Sequence, residues 1–177
     1  MTISLAIDTA TSRTIVGVID DGKVLFEAFH EGATEHGFAI TELVTKALKI
    51  CPKPNQVVVG MGPGPFTGLR VGITFAQSFA LAREIPVIGV CSLDAIVVDQ
   101  NEYTVAIDAR RKEIYWASYK DGVRVLGPSV SKPDEVANFV IDQYPNLQKL
   151  VASSSSQNIT EPMYLRRPDA VPTADRT

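Results

Sequence analysis

Positive charge and long apolar runs are both scarce in this 177-residue sequence. The net charge of −3 argues against a protein that holds nucleic acid by itself through a broad basic face. No apolar run reaches the ~18 residues that span a bilayer. The segment Met1–Leu5 lacks the basic residues of a signal peptide, and Asp8 soon interrupts the apolar stretch. We therefore expect a soluble, cytoplasmic protein without a membrane partner.

Cysteine and histidine are also rare. Cys51 and Cys91 form no CxxC or Cys/His cluster, so we expect two reduced core thiols in a reducing compartment. His30 and His36 fit neither HxxxH nor HExxH, and the sequence predicts no metal site. His36 is expected to be solvated or paired with Glu31 or Glu35. No GxSxG or paired-carboxylate pattern occurs, so no catalytic residue is predicted, and a scaffold with a binding surface is favoured.

The hydrophobic residues, 45% of the chain, follow an order typical of an α/β protein. Apolar runs, hairpin signals and a helical period predict seven elements in the first half. Thr34 is the expected N-cap of the first helix, and Val57–Val59 reads as a strand of a parallel sheet, buried on both faces. The predicted elements are strands Ile3–Asp8, Thr14–Ile19 and Lys23–Phe29, helix Thr34–Ile50, strand Val57–Val59, helix Gly68–Arg83 and strand Val87–Val90.

The opening pattern recurs one hundred residues later. Ala6-Ile7-Asp8 returns as Ala106-Ile107-Asp108, and Asp21-Gly22 returns as Asp121-Gly122, which indicates a duplicated strand–hairpin unit. The second copy is shorter. It is expected to hold one helix over Pro133–Tyr144 and one strand over Gln148–Ala152, followed by a linker at Ser153–Ser156 and an irregular tail over 159–177. The predicted halves are 1–92 and 93–177.

The loop from Gly60 to Arg70 is the most specific local signal. Its four glycines permit close backbone approach, and it joins a strand end to a helix start, where free N–H groups favour an anion. Thr67 is the expected N-cap. The loop matches neither a Walker A motif nor GxGxxG. Two interpretations stay open: a phosphate contact involving Gly62, Gly64 and Thr67, or a rigid structural turn.

The helix after the loop carries small residues at every fourth position. Gly68, Gly72, Ala76 and Ala80 form one smooth ridge, and polar groups such as Arg70 occupy only a narrow face. A helix this apolar must be covered on nearly all sides. Either a partner subunit covers the ridge or it packs against the chain's own first helix.

Asp8 and Asp108 both follow apolar strands. Carboxylates at such strand ends can organise Mg²⁺ and phosphate, but they also cap the turns that follow. Together with Gly62, Gly64 and Thr67 they form a candidate nucleotide site.

Several segments in order resemble the TsaB (YeaZ-like) family. They are Ile7-Asp8-Thr9-Ala10-Thr11, the loop Gly60–Arg70 with Pro65 where the family has Ser, and the segments Ile85–Leu93, Asp108–Trp116 and Tyr164–Ala170. The resemblance implies an actin-like ATPase (ribonuclease H-like) fold of two related βββαβα halves, the second shortened here. It also implies a non-catalytic subunit required for threonylcarbamoylation of adenosine in tRNA. Pro65 makes a phosphate on the loop a weaker expectation.

The resemblance also implies partners. A TsaD-like transferase carries the chemistry, a TsaE-like ATPase joins the complex, and tRNA is met only through the complex. Pairing with TsaD or in a homodimer would use the two helices of the first half, with Leu43, Ala47, Gly68, Arg70, Gly72, Ala76 and Ala80 at the interface. No cofactor is expected to bind tightly, although ATP or ADP with Mg²⁺ could sit at the complex interface.

Two other functions remain open at this point. One is an enzyme with this fold, either an ATPase or a metallopeptidase-like hydrolase. The other is an RNA-binding module that uses Arg110-Arg111-Lys112 and Arg166-Arg167, against which the acidic total charge argues.

Overall fold

The structure, a computed structural model, describes residues 2–166. The first part of the chain forms a five-stranded sheet in the order β3-β2-β1-β4-β5. β1, β2 and β3 are antiparallel neighbours, whereas β4 and β5 run parallel to β1. The strands are β1 (Ile3–Asp8), β2 (Arg13–Asp20), β3 (Lys23–Glu31), β4 (Gln56–Gly60) and β5 (Val87–Val90). The predicted parallel strand at Val57–Val59 is confirmed, and its valines are buried on both faces.

Two helices, α1 (His36–Ile50) and α2 (Phe66–Arg83), pack on one face of this sheet. Their inward side chains join Leu5 and Ile7 of β1 in one core. Both predicted N-caps are wrong. Glu35 precedes α1 and Pro65 precedes α2, and no side chain within residues 2–166 caps either helix start. Thr34 and Thr67 therefore keep their hydroxyls free for other contacts.

The second sheet repeats the first in a smaller form. Its order is β8-β7-β6-β9, with β6, β7 and β8 antiparallel and β9 parallel to β6. The strands are β6 (Glu102–Asp108), β7 (Ile114–Lys120), β8 (Val123–Ser131) and β9 (Phe139–Val140). The hairpin turns are confirmed in both copies: φ is 43° and 86° at Asp21 and Gly22, and 50° and 76° at Asp121 and Gly122.

Two secondary-structure predictions in the second half are wrong. The expected helix Pro133–Tyr144 is only a 3₁₀ turn at Pro133–Glu135, after which Asn138 adopts a φ of 50° that ends any helix before β9. The expected strand Gln148–Ala152 is part of helix α3 (Leu147–Ser153). The Asn146 side chain caps this helix by accepting a hydrogen bond from the Lys149 amide.

α3 lies on the opposite face of the first sheet from α1 and α2. Leu147 and Leu150, one helical turn apart, are fully buried against Ala6 and Ile19. Because successive strand residues point to opposite faces, Ala6 meets α3 while Leu5 and Ile7 meet α1 and α2. The first sheet is thus covered on both faces, and one cover comes from the second half of the chain.

A polar cluster around Asp94 ties the second sheet to the first. Asp94 accepts hydrogen bonds from the Tyr119 hydroxyl and the Gln157 amide, both at 2.7 Å, and Arg124 lies 3.6 Å away. Arg124 also donates to the Cys91 sulfur at 3.2 Å. Burial raises the pKa of Cys91 to about 12, so this thiol stays protonated. The two cysteines are buried free thiols, as predicted.

Residues 157–166 pack against the cores of both sheets, through Ile159 and Met163, without forming a helix or strand of their own. The Ile159 amide donates to the Gly89 carbonyl and the Met163 amide to the Met61 carbonyl, each at 2.8 Å. This part of the predicted irregular tail is confirmed. The rest of the tail, including Arg167 and the end of the Tyr164–Ala170 segment, lies outside the described residues. In the part of the chain that the structure describes, no helix has the length and apolar character needed to cross a membrane.

Candidate functional site

The carboxyl ends of three parallel strands meet beneath the glycine-rich loop. β1 ends at Asp8, its neighbour β4 ends at Gly60, and Ser92 follows shortly after β5. Gly60 leaves room for the Asp8 side chain because it has none of its own. A Cβ added there would lie 1.9 Å from Asp8 Oδ2 and 2.5 Å from Ser92 Oγ. The first glycine of the loop is therefore required by the buried carboxylate.

Asp8 is completely buried. Its Oδ1 accepts a hydrogen bond from the Ala10 amide at 2.9 Å, whereas its Oδ2 has no hydrogen-bond partner of good geometry among residues 2–166. Burial raises the pKa of Asp8 to about 6, an increase that the neighbouring Ser92 hydroxyl and the Ala10 amide only partly offset. Asp8 caps the turn after β1 from inside the core, which is the structural alternative left open for it above.

The other loop glycines also face the chain itself. Gly62 has a φ of +93° and exchanges two hydrogen bonds with Ser92: it accepts from the Ser92 amide at 2.8 Å and donates to Ser92 Oγ at 3.3 Å. A Cβ on Gly64 would lie 2.5 Å from the Ala10 carbonyl oxygen. Gly62 and Gly64 are both buried. The loop packs as a rigid turn on the backbone that follows β1.

The small-residue ridge of α2 is internal. A Cβ on Gly72 would lie 2.2 Å from Thr9 Oγ1, and one on Gly68 would lie 2.8 Å from the Thr9 carbonyl oxygen. Of the seven residues assigned to an interface, the structure buries six inside the single chain: Leu43, Ala47, Gly68, Gly72, Ala76 and Ala80. That assignment needs correction, because Leu43, Ala47, Ala76 and Ala80 belong to the core of α1, α2 and the sheet, and the two glycines lie against Thr9. Only Arg70 faces solvent.

A cleft of about 190 Å³ separates the two sheets. Asp108 lies at its edge, exposed, with one carboxylate oxygen 3.6 Å from Arg110 Nη1 and the other accepting from the Arg110 amide. The fold does not bring Asp8 and Asp108 together in this cleft, since Asp8 is not among its lining residues. These are Thr11, Ser12, Pro65, Ile107, Asp108, Arg110, Ile141, Asp142, Gln143 and Tyr144.

A second pocket of about 360 Å³ opens where α1 and α2 begin. We call it the helix-start pocket. Thr67, one of the predicted nucleotide contacts, lies here and not in the cleft. The lining residues are Thr11, Ala33, Thr34, His36, Gly37, Pro65, Thr67, Gly68, Val71 and Arg110.

The environment of His36 differs from the prediction that it is solvated or paired with Glu31 or Glu35. It is 4% exposed, and its Nδ1 lies 2.8 Å from the Thr14 hydroxyl, while Glu35 pairs with His30 instead. Burial, helped by His30, lowers the pKa of His36, so the ring is neutral at pH 7. Every residue of β2 from Thr14 to Ile19 is buried, so no alternation of polar and apolar residues in the sequence indicated this contact.

The basic segment Arg110-Arg111-Lys112 forms a left-handed turn, with φ of 63°, 53° and 63°. Arg166 folds back onto this region: it donates to the Ala109 carbonyl and pairs with Glu113. Arg166 is therefore engaged within the chain, and Arg167 lies outside the described residues. Among residues 2–166, no three His, Cys, Asp or Glu side chains are grouped so that they could hold a metal ion.

Comparison with known proteins gives a consistent result. The family model described as TsaD, tRNA N6-adenosine threonylcarbamoyltransferase, matches residues 30–171. An uncharacterized protein of Mycobacterium leprae is 41% identical over 99% of this chain and 58% of its own length. The tRNA threonylcarbamoyladenosine biosynthesis protein TsaB of Escherichia coli is 40% identical over 66% of this chain and 54% of its own length. The chain thus spans little more than half of these two relatives.

The fold agrees with that comparison. YeaZ from Pseudomonas aeruginosa superposes with a TM-score of 0.75 over 88% of this chain and 92% of that chain, at 21% identity. Two sheets of the same strand order, joined as related halves with the second one shortened, are consistent with the actin-like, ribonuclease H-like fold. The chain belongs to the TsaB (YeaZ-like) family.

Proposed function

We propose that this chain is a non-catalytic, cytoplasmic subunit of the machinery that makes threonylcarbamoyladenosine in tRNA. It would dimerise with a TsaD-type transferase, and a TsaE-like ATPase would join the pair. The observation that carries the proposal is membership of a family whose named relatives are tRNA threonylcarbamoyladenosine biosynthesis proteins. The chain itself would meet tRNA only through the complex.

The outer side of α2 is the proposed partner surface. Arg70, Thr74 and Ser78 are exposed at roughly helical spacing, with Val71 and Phe75 half-buried beside them. These two side chains pack against the core on one side and reach solvent on the other, which supports a surface that a partner could cover. Because the ridge is internal, pairing would use these outer residues.

The test is Thr74→Arg, which adds bulk and charge to the middle of the exposed side without entering the core. We expect loss of co-purification with the TsaD-type subunit and an unchanged thermal transition. Asn101→Arg adds the same group at the exposed start of the second sheet and should leave pairing intact. Equal co-purification by the two variants would refute this surface.

The enzyme alternative makes a separate prediction. An ATPase would place nucleotide and Mg²⁺ in the cleft beside Asp108, whereas a non-catalytic subunit has no turnover of its own. Hydrolysis of ATP or peptide by the isolated chain, abolished by Asp108→Asn or Asp8→Ala, would overturn the scaffold proposal.

A further inference from the structure

Two helices start at one pocket with their first amides unpaired by the backbone. The first α-helical hydrogen bond of α1 is Ala39 N–H to Glu35, and that of α2 is Leu69 N–H to Pro65. The three preceding amides of each helix have no partner within their own helix, and in the described chain no side chain caps them. Gly37 and Gly68, one from each set, line the helix-start pocket.

The charges that line this pocket are positive. Each helix start carries a partial positive charge, and Arg110 lines the same space from the second half of the chain. Among the described residues, no carboxylate lines the pocket. Nearby Glu35 is hydrogen-bonded to His30 at 2.6 Å, and Asp108 lies 3.6 Å from Arg110 on the cleft side. Two adjacent positive helix ends favour an anion between them.

His36 supplies an independent indication of a ligand. The Thr14 hydroxyl is fully buried, and its one hydrogen-bond partner within residues 2–166 is His36 Nδ1. The buried Thr14 hydroxyl proton has an acceptor only if it is donated to His36 Nδ1. Nδ1 is then unprotonated, and the neutral ring carries its proton on Nε2. His36 is more than nine-tenths buried, lines the pocket, and has no hydrogen-bond partner for Nε2 among the described residues. The Nε2–H group of His36 is therefore a hydrogen-bond donor at the pocket that has no acceptor among the described residues.

Two hydroxyls complete the donor set. Thr34 and Thr67 line the pocket and make no side-chain hydrogen bond within the described range, while Thr11 Oγ1 already accepts from the Arg13 amide at 3.1 Å. The combination of helix amides, neutral imidazole N–H, hydroxyls and a guanidinium suits a tetrahedral oxyanion, which takes several hydrogen bonds at once.

We propose that the helix-start pocket binds a phosphoryl group, held by the Gly37 and Gly68 amides, His36 Nε2 and Arg110. The cavity of about 360 Å³ admits inorganic phosphate or the phosphate of a nucleoside monophosphate. This site differs from the cleft, which contains none of the helix starts, although Thr11, Pro65 and Arg110 border both spaces.

The experiment is a titration of the ¹⁵N-labelled chain with inorganic phosphate, followed by NMR. We expect saturable shifts of the Gly37 and Gly68 amides and of the His36 ring, with Ser12 and Gln143 in the cleft unmoved. Arg110→Gln should weaken binding about tenfold, since it removes one charge-assisted hydrogen bond. Lys112→Gln, in the same turn but not lining the pocket, should bind as the unmodified chain does.

Three further results decide the proposal. Adenosine 5′-monophosphate should move the same three resonances, and adenosine should not. Tighter binding of the monophosphate than of inorganic phosphate would identify a nucleotide as the source of the group. Shifts confined to the cleft, equal losses in Arg110→Gln and Lys112→Gln, or binding of adenosine alone would each overturn the proposal.

Discussion

Asp8→Asn should change how the stability of this protein depends on pH. The ordinary pKa of this carboxyl group is 3.8, and burial raises it to about 6 in the folded chain. Below pH 3.8 both states carry the proton. Between these two values the folded state holds a proton that the unfolded state has lost, so stability falls as pH rises, and above about pH 6 the full cost of burying the charge is present.

The magnitude follows from the shift. A pKa difference of about two units corresponds to about 3 kcal/mol in the free energy of unfolding, since each unit is worth about 1.4 kcal/mol. Asp8 is fully buried, so solvent does not screen this cost. Asn keeps an oxygen for the Ala10 amide and has no charge to bury.

The assay is urea unfolding of both proteins from pH 4 to pH 7.5. The free energy of unfolding of the unmodified chain minus that of the variant should fall by about 2.5 kcal/mol across this range, since at pH 4 the unfolded carboxyl group is already partly ionised. Taking the difference cancels every other titrating group. The m-values should stay equal, so that the change reports stability and not compactness. A difference that stays flat, or rises with pH, would refute the buried, high-pKa state of Asp8.

Other substitutions test the packing. Gly72→Ala should cost about 1–3 kcal/mol by urea unfolding, because its Cβ would overlap Thr9 Oγ1. Gly37→Ala in α1 meets nothing within 4 Å and should instead stabilise the fold by up to about 1 kcal/mol, so equal effects of the two would contradict the ridge packing. Tyr119→Phe should cost about 1.5–3 kcal/mol through the lost hydrogen bond to Asp94, whereas Tyr103→Phe, stacked on Tyr119 at 5.1 Å, should cost little in the same assay.

Local patterns predicted the first half of the fold well. Strong local patterns mark the apolar runs of β1 and β4, the Asp-Gly hairpin turns and the two long helices. The observed bounds of each of these elements lie within about two residues of the predicted ones. The hundred-residue offset predicted the second hairpin unit because both copies need the same strand-end Asp and the same turn.

The segment after β8 was predicted poorly for a physical reason. Leu147 and Leu150 are spaced by a single helical turn, and an apolar pattern this short does not distinguish a helix from a strand. Their burial also depends on contacts with the first sheet. The ridge of α2 shows the same limit. Small residues at every fourth position predict close approach, but the partner in that approach, here Thr9, is set by tertiary structure.

The candidate site was predicted in part. Sequence placed Asp8 and the glycine loop next to each other but could not show that the carboxylate points into the core. It missed His36 and Arg110 as neighbours because they lie 74 positions apart and meet only when the two halves fold together.

The central proposal, that this chain enables a TsaD-type transferase, is tested most directly by reconstituted tRNA modification. The transferase, the TsaE-like ATPase and threonylcarbamoyl adenylate are combined with unmodified tRNA, with and without this chain, and threonylcarbamoyladenosine is measured by mass spectrometry of the digested tRNA. We predict repeated rounds of modification only when the chain is present, and loss of that activity with Thr74→Arg. Equal modification in its absence would contradict the proposal.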